Sequence, residues 1–174
     1  AACENAGHTL GCGPYGAGTG CTVGTARGWE RAGRGGFGTA SVALPDGVIV
    51  AAGFAVNAFG DVHDHTSGRK IAGMDGGTVT DALLHGLCAD SSGRITTIGV
   101  IGTNAALTKE QANKLAAVGQ NGIAMTVRPA HTMFDGDTVF AFGNGTAAGS
   151  LHAILAAGAE AAARAIVNAI SRCP

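Results

Sequence analysis

The sequence is poor in the features that mark several large functional classes. Charged residues are 13% of its 174 residues, and the formal net charge is −1. No basic stripe is present, which excludes the usual electrostatic footprint of a nucleic-acid binder. Aromatic residues are 5%, with one Trp and one Tyr, too few for a base-stacking platform. No uninterrupted apolar run reaches the roughly 18 residues of a membrane span, so no contact with a membrane is expected. The five cysteines, Cys3, Cys12, Cys21, Cys88 and Cys173, are an odd set without a Cys-x-x-Cys. Neither a disulfide framework nor a cysteine zinc site is expected, and a reducing, cytoplasmic setting follows. No initiating Met and no signal-like segment open the chain. Residues 1–7 read as the end of a helix stopped by Gly7, which points to an upstream part.

Glycine and alanine are what the chain has in quantity. Thirty glycines occur without a collagen period, so backbones are expected to pack in close layers. The length suits one domain with a real core. Gly11, Gly13 and Gly16 match G-x-G-x-x-G literally. No strand precedes them and Pro14 interrupts the loop, so a structural loop is favoured over a dinucleotide site. Arg27, Arg31 and Arg34 read as scattered surface charge.

From Phe37 the pattern is β. Residues 39–44 and 48–52 flank Pro45-Asp46-Gly47, a turn in which proline presets φ and glycine supplies φ > 0. This predicts a hairpin whose second strand is central and ends at Asn57. That asparagine either closes the strand or donates hydrogen bonds into a site. Asp61, His63, Asp64 and His65 could bind zinc, but the loop composition favours a solvated knot. The glycine-rich stretch 68–78 is expected to be mobile, and residues 80–87 to form a short helix. Gly93 breaks the chain before a β-branched strand over residues 94–103. Thr108 and Gln111 form a capping box. A helix follows with Leu115, Val118, Gly122 and Met125 on its buried face, ending at Arg128-Pro129. A strand at residues 139–142 and a final helix from about Ser150 complete the order. Two helices can then cover one sheet face, and the hairpin needs a second layer.

Two chemical features stand out. Thr96 opens the strand at 94–103. A threonine hydroxyl is a weak nucleophile until a base takes its proton. The freed amine of an N-terminal threonine, with a pKa of roughly 7.7–8.0, can be that base. Asp135 and Asp137 flank a glycine at a strand mouth and share a side at period 2. Two carboxylates in one site cannot both ionise freely. They suit acid/base work or orientation of an amine, and an ordinary Asp-Gly turn remains the plainer alternative.

Several blocks, in order and spacing, resemble the DmpA-type L-aminopeptidase/D-esterase family, which includes β-aminopeptidases and nylon-oligomer hydrolases. They are Gly16-Ala17-Gly18-Thr19-Gly20, residues 36–41, residues 56–62, Thr96-Thr97-Ile98-Gly99-Val100, Leu107-Thr108-Lys109, and residues 128–141. The resemblance implies an α/β fold, the four-layer α/β/β/α sandwich also found in ornithine acetyltransferase, here only its C-terminal part. It implies one hydrolase domain, 1–174, that cuts itself at Ile95–Thr96 into 1–95 and 96–174. Thr96 is then the nucleophile, Asn57 the site asparagine, and Asp135 and Asp137 the pair beside the nucleophile. Small peptides, amides or esters are the implied substrates. No cofactor or metal is implied, and homo-oligomers are.

Three departures accompany it. Ile95 stands where nylon-oligomer hydrolases have asparagine. Thr25 stands where many members have a lysine. The family also has a long N-terminal half before the position of Ala1; either a separate fragment supplies it, the sequence is a piece of a longer one, or this is a reduced relative. Two other readings follow from these departures and from the shared fold. One is a truncated, non-catalytic relative that assembles through its apolar faces. The other is acyl transfer to an amino acid.

Overall fold

The structure is a computed structural model that describes residues 7, 10–88 and 95–171. Its strands are β1 (Thr22–Val23), β2 (Gly33–Arg34), β3 (Gly36–Ala43), β4 (Ile49–Val56), β5 (Asp61–His63) and β6 (Lys70–Ala72), followed by helix α1 (Val79–Leu84). Then come β7 (Ile98–Ala105), α2 (Lys109–Thr126), β8 (Val127–Arg128), β9 (Thr138–Ala147) and α3 (Leu151–Ser171). The expected helix end at residues 1–7, the break at Gly93, and Cys3 and Cys173 lie outside the described residues.

The main sheet has the order β3-β4-β7-β9. The first three strands are antiparallel neighbours, and β9 runs parallel to β7. The β3–β4 hairpin turns at Pro45-Asp46-Gly47, where Gly47 takes φ 82° and Val48 N–H donates to Asp46 Oδ1 at 3.2 Å. As expected, β4 is an interior strand. Parallel β7 and β9 need a crossover, and α2 supplies it. The Thr108–Gln111 capping box is fully formed at the start of α2.

Both long helices lie on one face of this sheet. α3 packs on β3 and β4, α2 on β9 and β7, and the two helices on each other. The core between them holds Val50, Phe54, Val56, Ile101, Leu115, Ile123, Ile154 and Ile166. Small residues set the spacing. A Cβ on Gly38 would stand 2.3 Å from Ala165 O and from Ala169 N, and one on Gly122 would stand 2.5 Å from Ala162 Cβ. By length and composition α3 is apolar enough to cross a membrane. Here its Ala157, Ala161, Ala165 and Ala169 are buried as a core surface.

Among the described residues, the opposite sheet face is largely uncovered and apolar. Ile49, Ile98, Val100, Phe140 and Phe142 all project there, with Phe140 61% and Phe142 52% exposed. A shallow cavity of about 410 Å³ runs over Phe37, Thr39, Ala51, Val100 and Phe142 on this face. The described residues thus form one helix layer packed on one face of the main sheet.

Three local expectations are corrected. The Asp61–His65 stretch is not a solvated loop. Asp61 is fully buried, and its carboxylate accepts from Met74 N–H at 2.7 Å and Val79 N–H at 2.6 Å. His65 reaches Glu160 on α3, Nε2 to Oε1 at 3.4 Å. Residues 68–78 are pinned as well. β6 pairs with β5, and Lys70 Nζ donates to the carbonyls of Met74, at 2.9 Å, and Gly77, at 2.5 Å. Glycine serves fit here, since a Cβ on Gly73 would strike Asp61 Oδ1. Lastly, α2 buries Leu115, Gly119, Gly122, Ile123 and Thr126, leaving Met125 exposed. The helix turns its small residues toward α3 because only they allow the approach.

Candidate functional site

The site forms where the chain enters β7. That strand starts at Ile98, so Ile95, Thr96 and Thr97 lie just before it. They run beside residues 135–138, the lead-in to parallel β9. Ile95 bridges Asp135 in parallel fashion. Gly136 N–H donates to Ile95 O at 2.9 Å, and Thr138 N–H donates to Thr97 O at 3.0 Å. Between them, Thr97 N–H donates to Asp137 Oδ1 at 2.8 Å. Both peptide segments are therefore fixed against each other around Thr96. Ile95 is 1% exposed, Thr97 is fully buried, and Thr96 is half-buried.

Asp135 and Asp137 line one cavity of about 330 Å³ with Gln120, His131 and Thr132. They are held differently. Asp135 Oδ2 accepts from Thr132 N–H at 2.9 Å and Thr132 Oγ1 at 2.7 Å, while Oδ1 accepts from Phe59 N–H at 3.4 Å. Asp135 thus makes a local turn contact with Thr132, and both carboxylates face one cavity. The Asp137 side chain is 5% exposed, and its Oδ2 lies 3.9 Å from His131 Nδ1. Burial pushes the Asp137 carboxyl above its ordinary value. The Thr97 amide opposes this, Asp135 adds to it, and His131 counters it. Asp137 therefore holds its proton to higher pH than a free aspartate does.

Asn57 ends β4 with its side chain turned back toward β1. Its Oδ1 accepts from Thr22 N–H at 3.0 Å and Thr22 Oγ1 at 3.4 Å. Its carbonyl accepts from Thr97 Oγ1 at 3.5 Å. With Oδ1 occupied, Nδ2 is the end left to donate elsewhere. Phe59, two residues on, stacks on Phe134 with ring centroids 4.8 Å apart. Thr25 is buried beside this segment, its N–H donating to Phe59 O at 3.1 Å, and its Oγ1 has no hydrogen-bond partner among the described residues.

Sequence reasoning missed His131 and Gln120. His131 adopts φ 57°, unusual for a residue with a Cβ, and so faces Asp137. Gln120 donates Nε2–H to Asp137 O at 3.4 Å, while its Oε1 is buried without a partner among the described residues. His131 lies in the 128–141 stretch with no spacing in the sequence that suggests a partner. Gln120 looked like one polar residue on a long helix. No three His, Cys, Asp or Glu side chains among the described residues are grouped to hold a metal.

Comparison with known proteins bears on the family and the fold. The profile of peptidase family S58 matches residues 1–173. An uncharacterized aminopeptidase of Mycobacterium leprae is 37% identical over 79% of this chain and 38% of its own length. One from Mycobacterium tuberculosis is 36% identical over 84% and 44%. The chain therefore spans less than half the length of these relatives. Among solved structures, a Burkholderia β-aminopeptidase superposes with TM-score 0.59 at 26% identity, covering 92% of this chain and 46% of that one. The PH0078 protein of Pyrococcus horikoshii gives TM-score 0.66 at 24% identity over 97% and 46%. An L-aminopeptidase D-Ala-esterase/amidase of Ochrobactrum anthropi, described as a variant of the Ntn hydrolase fold, gives 0.59 at 20% identity over 92% and 44%.

Proposed function

The chain belongs to peptidase family S58, and from that premise we propose that it is the nucleophile-bearing part of an N-terminal nucleophile hydrolase. The proposed activity is that of an aminopeptidase or amidase on small peptides, amides or esters. One observation carries the reading. The segment around Thr96 is clamped by main-chain bonds to the lead-in of β9, beside a cavity lined by Asp135 and Asp137. In this reading the Ile95–Thr96 bond breaks, and Thr96 becomes a new N-terminus. Its amine takes the hydroxyl proton, and the hydroxyl attacks the substrate carbonyl to form an acyl-enzyme that water resolves. Asn57 Nδ2 donates to the developing oxyanion. Asp137, tied to Thr97, orients the amine, and Asp135 shapes the same wall.

The open sheet face bears on the rest of the protein. We assign its cover to a segment from the part of the relatives' length that this chain does not span, as a second sheet layer. Self-assembly into homo-oligomers would bury further apolar surface. The same face also favours the second reading, a non-catalytic module that assembles through it.

An intact-mass spectrum together with amino-acid p-nitroanilide hydrolysis tests the proposal. Splitting between Ile95 and Thr96, lost with activity in Thr96→Ala, is expected. An intact chain without hydrolysis, in large assemblies, would support the module instead. Product formed only when ornithine replaces water as acceptor would point to acyl transfer.

A further inference from the structure

The carbonyl of Ile95 is the one that must become an oxyanion if the Ile95–Thr96 bond breaks. In the structure it already accepts a hydrogen bond, from Gly136 N–H at 2.9 Å. Gly136 is also where a side chain would meet the nucleophile. A Cβ there would stand 2.8 Å from Thr96 Oγ1 and 3.8 Å from Ile95 O. Its φ is not left-handed, so glycine is not required by backbone conformation. What it supplies is an unobstructed approach for the Thr96 hydroxyl and a donor on the scissile carbonyl. We propose that Gly136 is a catalytic residue of the self-processing step, its N–H serving as oxyanion donor and its missing side chain giving the Thr96 hydroxyl room to attack. The inference rests on the reading of Thr96 as the released nucleophile.

The step balances without any added reagent except water. Thr96 Oγ bonds to the Ile95 carbonyl carbon, and the carbonyl electron pair moves onto oxygen, where Gly136 N–H meets it. The pair returns, and the Ile95 C–Thr96 N bond breaks. The nitrogen leaves as an amine, gaining the proton that left Oγ. Water then hydrolyses the ester, giving the Ile95 carboxylate and Thr96 with its hydroxyl and free amine. As the carbon becomes tetrahedral, charge grows on the oxygen and the Gly136 bond strengthens. It thus favours the transition state over the ground state. The parallel bridge of Ile95 to Asp135 and the Thr97–Asp137 bond hold donor and carbonyl in place on either side of the reacting bond. Little reorganisation is then needed when the charge appears.

The donor and the space can be separated in the full chain. Replacing the amide of Gly136 by an ester, through incorporation of glycolic acid, removes the N–H and adds no atom toward Thr96. The release of 1–95 and 96–174, followed by mass, should slow about 10²-fold or more with the melting temperature kept. Gly136→Ala keeps the donor and crowds the hydroxyl. It should slow release about tenfold or more, and Thr96→Ser, whose unbranched side chain lets the hydroxyl rotate clear of the new Cβ, should restore most of the loss in the double variant. A purely structural role would not be rescued in this way. Wild-type splitting with an unslowed ester variant overturns the donor role. An unslowed Gly136→Ala, or one that Thr96→Ser leaves unrescued, overturns the steric role. If wild type does not split at all, the nucleophile reading itself fails, and this inference falls with it.

Discussion

The main-chain N–H of Thr97 donates to the carboxylate of Asp137 at 2.8 Å, joining residues 40 apart in sequence. The bond places a nearly buried acid beside the residue that follows Thr96. It also gives the site a titration that can be measured. The Asp137 carboxyl sits above its ordinary value of 3.8, first because of burial. The folded protein therefore binds this proton more tightly than the unfolded chain. Stability from this group is full at low pH. It falls as pH rises past about 4, the unfolded value, through the raised folded value, and stays lowered above that. Asp137→Asn keeps an acceptor for Thr97 and cannot ionise. Its melting temperature relative to wild type should rise between about pH 3 and pH 7, whatever the constant offset. A flat difference across that range would refute the shift.

Asn57 is expected to act through its amide nitrogen, since Thr22 occupies the oxygen. Asn57→Asp keeps the acceptor for Thr22 but removes the donor. Processing or turnover should fall about 10²- to 10³-fold, the usual cost of an oxyanion donor. Circular dichroism should show the fold kept, and a rate within threefold of wild type would contradict the role.

Asp61 is a structural acid, and its removal should be felt away from the site. It accepts from Met74 N–H and Val79 N–H while fully buried. Asp61→Ala strands both donors, and the cost should be on the order of 3 kcal/mol. Chemical denaturation measures it. Limited proteolysis should open first within 73–79, where those bonds are lost.

Gly38 sets the distance between β3 and α3. A Cβ there meets backbone atoms of Ala165 and Ala169 at 2.3 Å, which cannot rotate aside. Gly38→Ala should destabilise by about 1–3 kcal/mol, the range for overpacking. Gly47→Ala serves as a contrast, since that glycine has nothing near it and only its φ of 82° to lose. It should cost less.

The apolar sheet face should bind a hydrophobic dye or self-associate in this chain alone. Phe142→Arg, at an exposed position on that face, should reduce both without lowering the melting temperature. Sedimentation and dye fluorescence provide the check. Co-expression with the part of a relative's length that this chain does not span should suppress both in wild type.

Local chemistry made several elements legible. Pro45-Asp46-Gly47 has one good conformation, and the hairpin followed from it. Thr108 and Gln111 satisfy each other's orphan groups, so the start of α2 was readable to the residue. The β-branched run after Gly93 announces β7, and the apolar stretch 139–142 announces β9. Other features depended on partners far away in sequence. Asp61 looked like part of a solvated knot because Met74 and Val79 come to it only in the fold. The 68–78 stretch looked mobile because glycine shows freedom but not the bonds that end it. The buried face of α2 was misjudged because α3 selects Gly122 over Met125 by closeness of approach.

The opening of β7 divides in the same way. The sequence by itself determined that Thr96 stands at a strand entrance, that two aspartates share a strand mouth, and that the blocks around them run in the order of a hydrolase family. Residue type, period and spacing are local properties, and they need no partner. Only the tertiary structure decided that Thr97 meets Asp137, that His131 and Gln120 join the cavity, and that Gly136 N–H lies on the Ile95 carbonyl. Those contacts arise from parallel pairing of two segments about 40 residues apart. No local rule encodes that register; the shared core beneath α2 and α3 imposes it.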